Sequence, residues 1–117
     1  MSELKARLDN LAAVPGVRLA MVVGRDGFIV DASGQPTPDL EVPAAHVASA
    51  FVGCEAVGST SDYGALERAI FEFAQGALVV QRLGQATALV LFLSPDAVVG
   101  RIRHQAKDMA AALTEVL

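Results

Sequence analysis

The sequence predicts an α+β fold with elements in the order α-β-β-α-β-β-β-α. Three observations predict it. Five short apolar, β-branched runs are separated by glycine-containing breaks, the pattern of neighbouring antiparallel strands. A C-terminal stretch repeats apolar residues at helical spacing. Between the second and third strand-like runs lie twenty residues, Val42 to Ser61, whose one formal charge is Glu55 and whose side chains are mostly small. A helix that is non-polar nearly all round is buried on more than one side.

The elements follow in order. Leu4, Leu8 and Leu11, with charges between them, mark an amphipathic helix from about Ser2 to Ala13, stopped by Pro15-Gly16. Val17 to Val23 and Phe28 to Ala32 are too short for helices between their punctuators. Gly24-Arg25-Asp26-Gly27 joins them as a hairpin, because glycine accepts positive φ. Ser33 to Glu41 carries Gly34, Pro36 and Pro38 and reads as a loop. Pro43 then sits where a helix's first turn tolerates proline, so the middle helix spans about Glu41 to Ser61.

Laid out at about 3.6 residues per turn, Val47, Ala50, Phe51, Cys54, Val57 and Gly58 share a stripe that we assign to the protein's own sheet. Ala44, Ala45, Ala48, Val52, Glu55 and Ser59 form a second stripe roughly opposite, and His46, Ser49, Gly53 and Thr60 a polar strip between the two. Gly53 and Gly58 each cost about 1 kcal/mol relative to alanine inside a helix, a cost that close backbone approach would justify.

Leu66 to Phe73 alternates poorly, with Glu67, Arg68 and Glu72 among apolar residues, and reads as a sheet edge guarded by charge. Alternation sends Ile70 to the face opposite Phe71 and Phe73. Ala77 to Leu83 and Ala86 to Leu93 follow two-residue breaks containing glycine and complete a meander. Ser94-Pro95-Asp96 reads as a helix start. Val99, Ile102, Ala106, Met109, Leu113 and Val116 continue that helix, with Arg101, Arg103, His104 and Lys107 on its wet side.

A chain of 117 residues is expected to form one domain over 1–117, burying around 65% of its extended surface. The hydrophobic fraction of 53% is high while aromatics are only 5%, so the apolar mass is Ala, Val and Leu, and some of it is expected to cover an interface. Net charge is −4 and the nine basic residues are scattered, which argues against nucleic acid. Cys54 stands alone, so an internal disulfide is impossible; it reads as an inert core thiol in a reducing, cytoplasmic setting. MSELKARLDNL lacks an apolar signal core, and Pro43, His46 and Glu55 make the middle helix a poor membrane span.

Chemistry is weakly signalled. Gly24 and Gly27 belong to a hairpin, not a phosphate loop, and no Gly-Lys-Ser/Thr follows. His46 and His104 lie on different helices without carboxylate or thiol at ligand spacing. We expect no catalytic residue, cofactor or metal, and a non-enzymatic role. Arg25 and Asp26 read as a solvated hairpin tip. Glu55 is open to two readings, an intersubunit hydrogen-bonding group or a solvated residue.

This order, with an early Asp-Gly hairpin and a late Pro-Asp-Ala-x-x-Gly-x-Ile-Arg start, resembles the roadblock/dynein light chain family, in particular its bacterial MglB-like branch. The matching stretches are Leu8 to Val14 with Gly16-Val17, Val22 to Val30, the small-residue helix, Ala77 to Leu93 and Pro95 to Arg103. The resemblance implies a five-stranded antiparallel sheet, the middle helix on one face and the terminal helices on the other. It implies homodimers in which middle helices lie side by side and third strands pair, with a Ras-like small GTPase bound across the helices. The family is not built around a catalytic residue of its own, so any stimulation of GTP hydrolysis would act by positioning the GTPase's groups. Pro43, late in entering its helix, and Arg68, a charge on the pairing strand, depart from the pattern.

The expected function is thus a cytoplasmic homodimer regulating a Ras-like GTPase. Its dimer seam would use Ala45, Ala48, Val52, Glu55, Ala56, Ser59, Arg68 and Ile70, and its partner surface His46, Ser49 and Gly53. The alternatives are a PAS- or profilin-like small-molecule sensor, which needs a cavity between sheet and helix, or a passive adaptor in a larger assembly.

Overall fold

The computed structural model describes residues 2–117. Helix α1 spans Glu3–Ala12, strand β1 Val17–Gly24, β2 Ile29–Gly34, helix α2 Glu41–Thr60, strands β3 Arg68–Phe73, β4 Gly76–Leu83 and β5 Thr87–Leu93, and helix α3 Val99–Glu115. The strands form one antiparallel sheet in the order β2-β1-β5-β4-β3. The β3-β4-β5 meander and the β1-β2 hairpin therefore join through β1 and β5, leaving β2 and β3 as edges.

Two cores follow from strand alternation, because successive side chains point to opposite faces. On one face Val22, Val79, Leu89 and Leu91 meet Leu4, Leu8 and Leu11 of α1 and Ile102, Ala106 and Leu113 of α3. On the other, Met21, Val23, Val80 and Val90 meet Ala44, Val47, Ala48 and Phe51 of α2. Each fully buried Leu, Val or Ile contributes roughly 1.5–3 kcal/mol. α1 begins as its sequence suggests, the Ser2 hydroxyl accepting from the Lys5 N–H at 3.1 Å.

α3 starts later than expected. Ser94 spends its hydroxyl on the Asp96 carboxylate (2.7 Å), its N–H donates to the Gly16 carbonyl (2.9 Å), and its carbonyl accepts from Ala97. These bonds close a turn over 94–97, and the helix begins at Val99 without a side-chain cap. From there its apolar spacing buries the face the sequence indicates, while Arg101, Arg103, His104 and Lys107 stay exposed.

α2 is rotated from the expected orientation. Ala44 is fully buried and Ala48 5% exposed, so both belong to the chain's own core rather than to the opposite face. Ala50, Cys54 and Val57, assigned to the sheet, are instead exposed, which also moves the Cys54 thiol out of the core. A helix with small apolar residues on every side carries little periodic signal. Packing decides the rotation, with Val47 and Phe51 seated between two alanines that let the helix approach the sheet. At its far end Gly58 allows a close approach. A Cβ there would collide with the Gly64 carbonyl oxygen, and the Gly58 carbonyl accepts from Tyr63 and Gly64.

Candidate functional site

The expected site was the surface of α2 together with β3, and the structure divides it into four parts. The first is the outward face of α2. Val42, Ala45, His46, Ser49, Ala50, Gly53, Cys54, Ala56, Val57, Ser59 and Thr60 are exposed or half-buried and none carries a carboxylate, ammonium or guanidinium. A Cβ built on Gly53 meets nothing within 4 Å. The glycine therefore has no reason within the chain itself, in contrast to Gly58.

The second part is the hairpin tip. Arg25 Nη1 sits 2.5 Å from Glu55 Oε1, so Glu55 is half-buried in an ion pair within the chain, a partner that neither expected reading named. Asp26 turns inward on its own loop, Oδ1 accepting from the Phe28 N–H at 3.1 Å. Gly27, at φ 89°, passes 3.3 Å from the Ala45 Cα when given a Cβ. Ala45, Ser49 and Val52 line the shallow hollow between α2 and this tip. The tip thus fastens one flank of α2.

The third part is a groove of about 590 Å³ on the other flank. α2 crosses the strands toward the end that holds the β1-β2 and β4-β5 tips, while the β3-β4 tip lies at the other end. A helix about 10 Å wide covers only part of strands roughly 25 Å long. The uncovered end presents Leu19, Leu78, Phe92 and Phe73, bordered by Pro43, His46 and Val47 of α2 and by Arg18, Gln35 and Gln75. Phe73 is 63% exposed. Residue alternation signals Phe73 as core; the missing information is how far along the strands the helix lies.

The fourth part is the free edge of β3. Ile70 pairs with Val79 and Arg68 with Gln81, which places both side chains on the α3 side of the sheet. Val52, Ala45, Ala56 and Ser59 lie on α2, on the other face. The expected seam residues therefore form no single side-chain patch, and only the β3 backbone is open to both. Ala48 has little surface left to give to any seam.

A five-stranded antiparallel sheet with α2 on one face, α1 and α3 on the other, and β3 at one edge defines the class of fold. The chain belongs to the Roadblock/LC7 domain family, whose pattern it matches over residues 4–92. Its fold is that of MglB. It superposes on Myxococcus xanthus MglB with a TM-score of 0.90 at 18% identity, covering 99% of this chain and 95% of that one. The gliding protein MglB of Thermus thermophilus gives 0.88 at 20% identity over 97% and 87% of the two chains. An MglB described in a tetrameric arrangement gives 0.88 at 22% over 97% and 86%. Comparison with curated protein sequences gives no match.

Proposed function

We propose that this chain is a homodimeric module that binds and regulates a Ras-like small GTPase in the cytoplasm. Where it stimulates GTP hydrolysis, it does so by positioning the GTPase's own groups. The observation that carries the reading is the outward face of α2, which beyond Glu41 at the helix start is free of charge apart from a Glu55 already neutralised by Arg25, on the same domain as an unpaired β3 edge. Such a face gains by being covered, and an open edge is a ready template for a second strand. The tetrameric arrangement described for one MglB supports self-association in this fold.

In this reading β3 pairs through its backbone, Ile70 and Arg68 flanking the pair. Ala45, Val52, Ala56 and Ser59 contribute from α2, and His46, Ser49 and Gly53 face the GTPase. A stable dimer should bury on the order of 800 Å² per subunit. Light scattering coupled to size exclusion tests the first half, a monomer at micromolar concentration being the outcome that defeats it. A GTPase assay on the Ras-like protein captured from the source cell tests the second.

The groove supports one rival. Its volume falls in the range of small-molecule sites, and His46, Arg18, Gln35 and Gln75 offer polar groups around an apolar floor. Thermal stabilisation by a small-molecule library, with none by a GTP-loaded Ras-like protein, would favour a sensor over a GTPase regulator.

A further inference from the structure

The α3 side of the β3 edge carries a side-chain cluster of which the proposed function uses only Arg68, beside the strand pair. Arg68 opens β3, and Arg103, His104 and Lys107 reach toward it from one flank of α3, the four lining a cleft of about 90 Å³. Arg68 is not a free arm. Its Nε donates to Gln81 Oε1 at 3.0 Å. Gln81 is 3% exposed and is the one buried polar side chain among the described residues. It is itself anchored, Nε2 donating to the carbonyls of Glu67 (3.3 Å) and Arg82 (3.2 Å). A buried amide thus sets the plane of a guanidinium that still has its terminal N–H donors to offer.

The charge around this oriented arginine is unbalanced. Contrary to the expectation that His104 has no carboxylate at such spacing, its Nε2 lies 3.3 Å from the Asp108 carboxylate one helical turn on, but among the described residues no carboxylate pairs with Arg68, Arg103 or Lys107. Three permanent cations therefore share one cleft in a chain whose net charge is −4. An anion held there gains from all three, and a planar guanidinium matches the oxygens of a phosphate two at a time. The cleft is far smaller than a nucleotide or drug-sized site, which limits the occupant to a single tetrahedral group. The cations line a cleft instead of a plane, which favours a projecting phosphate over a bilayer surface.

We propose that this cleft binds a phosphate monoester, Arg68 serving as the oriented donor and Arg103 and Lys107 as flanking charges. Gln81 acts as the positioning residue. The site does not depend on the chain's binding a GTPase.

The test is a titration of the full chain, followed by amide NMR in phosphate-free buffer at constant ionic strength. The additions are inorganic phosphate, O-phosphoserine or chloride. Saturable shifts at Arg68, Gln81, Arg103 and Lys107 with both phosphates, and none of that pattern with chloride, are expected. The surface pair Arg103→Gln with Lys107→Gln, which leaves the core untouched, should weaken phosphate binding roughly tenfold or more. Gln81→Met should weaken phosphoserine binding while every cation remains, an effect that net charge alone would not produce. Shifts that grow without saturation, or equal shifts with chloride, overturn the proposal. So does binding to phosphatidylserine vesicles without response to soluble phosphate.

Discussion

At the scale of single residues, the two glycines of α2 separate intrachain packing from interface packing. Gly58→Ala forces a methyl group against the Gly64 carbonyl, and overpacking of this kind costs about 1–3 kcal/mol; urea denaturation should show that loss. Gly53→Ala meets nothing, so helix propensity alone predicts a gain of up to about 1 kcal/mol for an isolated chain. A neutral or destabilising result for Gly53→Ala at concentrations where the protein is associated would place that glycine in a packed contact between molecules. The Arg25–Glu55 pair is partly exposed, so a double-mutant cycle should yield only about 0.2–1 kcal/mol. Its value is positional, since it ties the hairpin tip to α2.

Asp96 also behaves as a local group. The Ser94 hydroxyl, then its own backbone N–H and the more distant Arg18, hold its carboxyl below the ordinary 3.8. A depressed acid favours the folded turn above the unfolded pKa and loses that contribution as pH falls through the folded one. Ser94→Ala should therefore move the Asp96 titration, followed by NMR, back toward 3.8.

At the scale of elements, α2 is where sequence and structure part. A buried position and an exposed one along this helix differ by a fraction of a turn, and only the packing of Val47 and Phe51 tells them apart. The two predicted outcomes are correspondingly different. Ala48→Arg places a charge in a 5% exposed core position, and a loss of about 3–5 kcal/mol, the cost of an unpaired buried charge, should unfold or severely destabilise the domain. Val57→Arg sits on a side chain 62% exposed and should leave circular dichroism and the monomer intact. If the outward helix face is the seam, it should shift the light-scattering mass from dimer to monomer. If mass stays dimeric with Val57→Arg and with Ile70→Pro, neither α2 nor β3 forms the contact.

At the scale of the whole molecule, the element order, the antiparallel hairpin and the meander were legible in the sequence. The signals were the Asp-Gly hairpin, the glycine breaks at Gly76 and Gly84, and the clean spacing from Val99 to Val116. Each is a local rule, satisfied or broken within a few residues. The division of helices between the two faces followed from the family resemblance instead. The groove and the cleft at Arg68 were not legible. They depend on where one element lies along another: how far α2 reaches across the strands, which flank meets the hairpin tip, and that Gln81 turns its amide toward Arg68.

By itself, then, the sequence determined the number, kind and order of elements, and a central helix with one formal charge between Val42 and Ser61. The tertiary structure alone decided which side is the outer one, that Glu55 is spent on Arg25, and that Phe73 stands over an open groove. The reason is physical. Local propensities and turn chemistry are set by neighbours in the chain, whereas the rotation and placement of a uniformly apolar helix are set by the shapes it packs against.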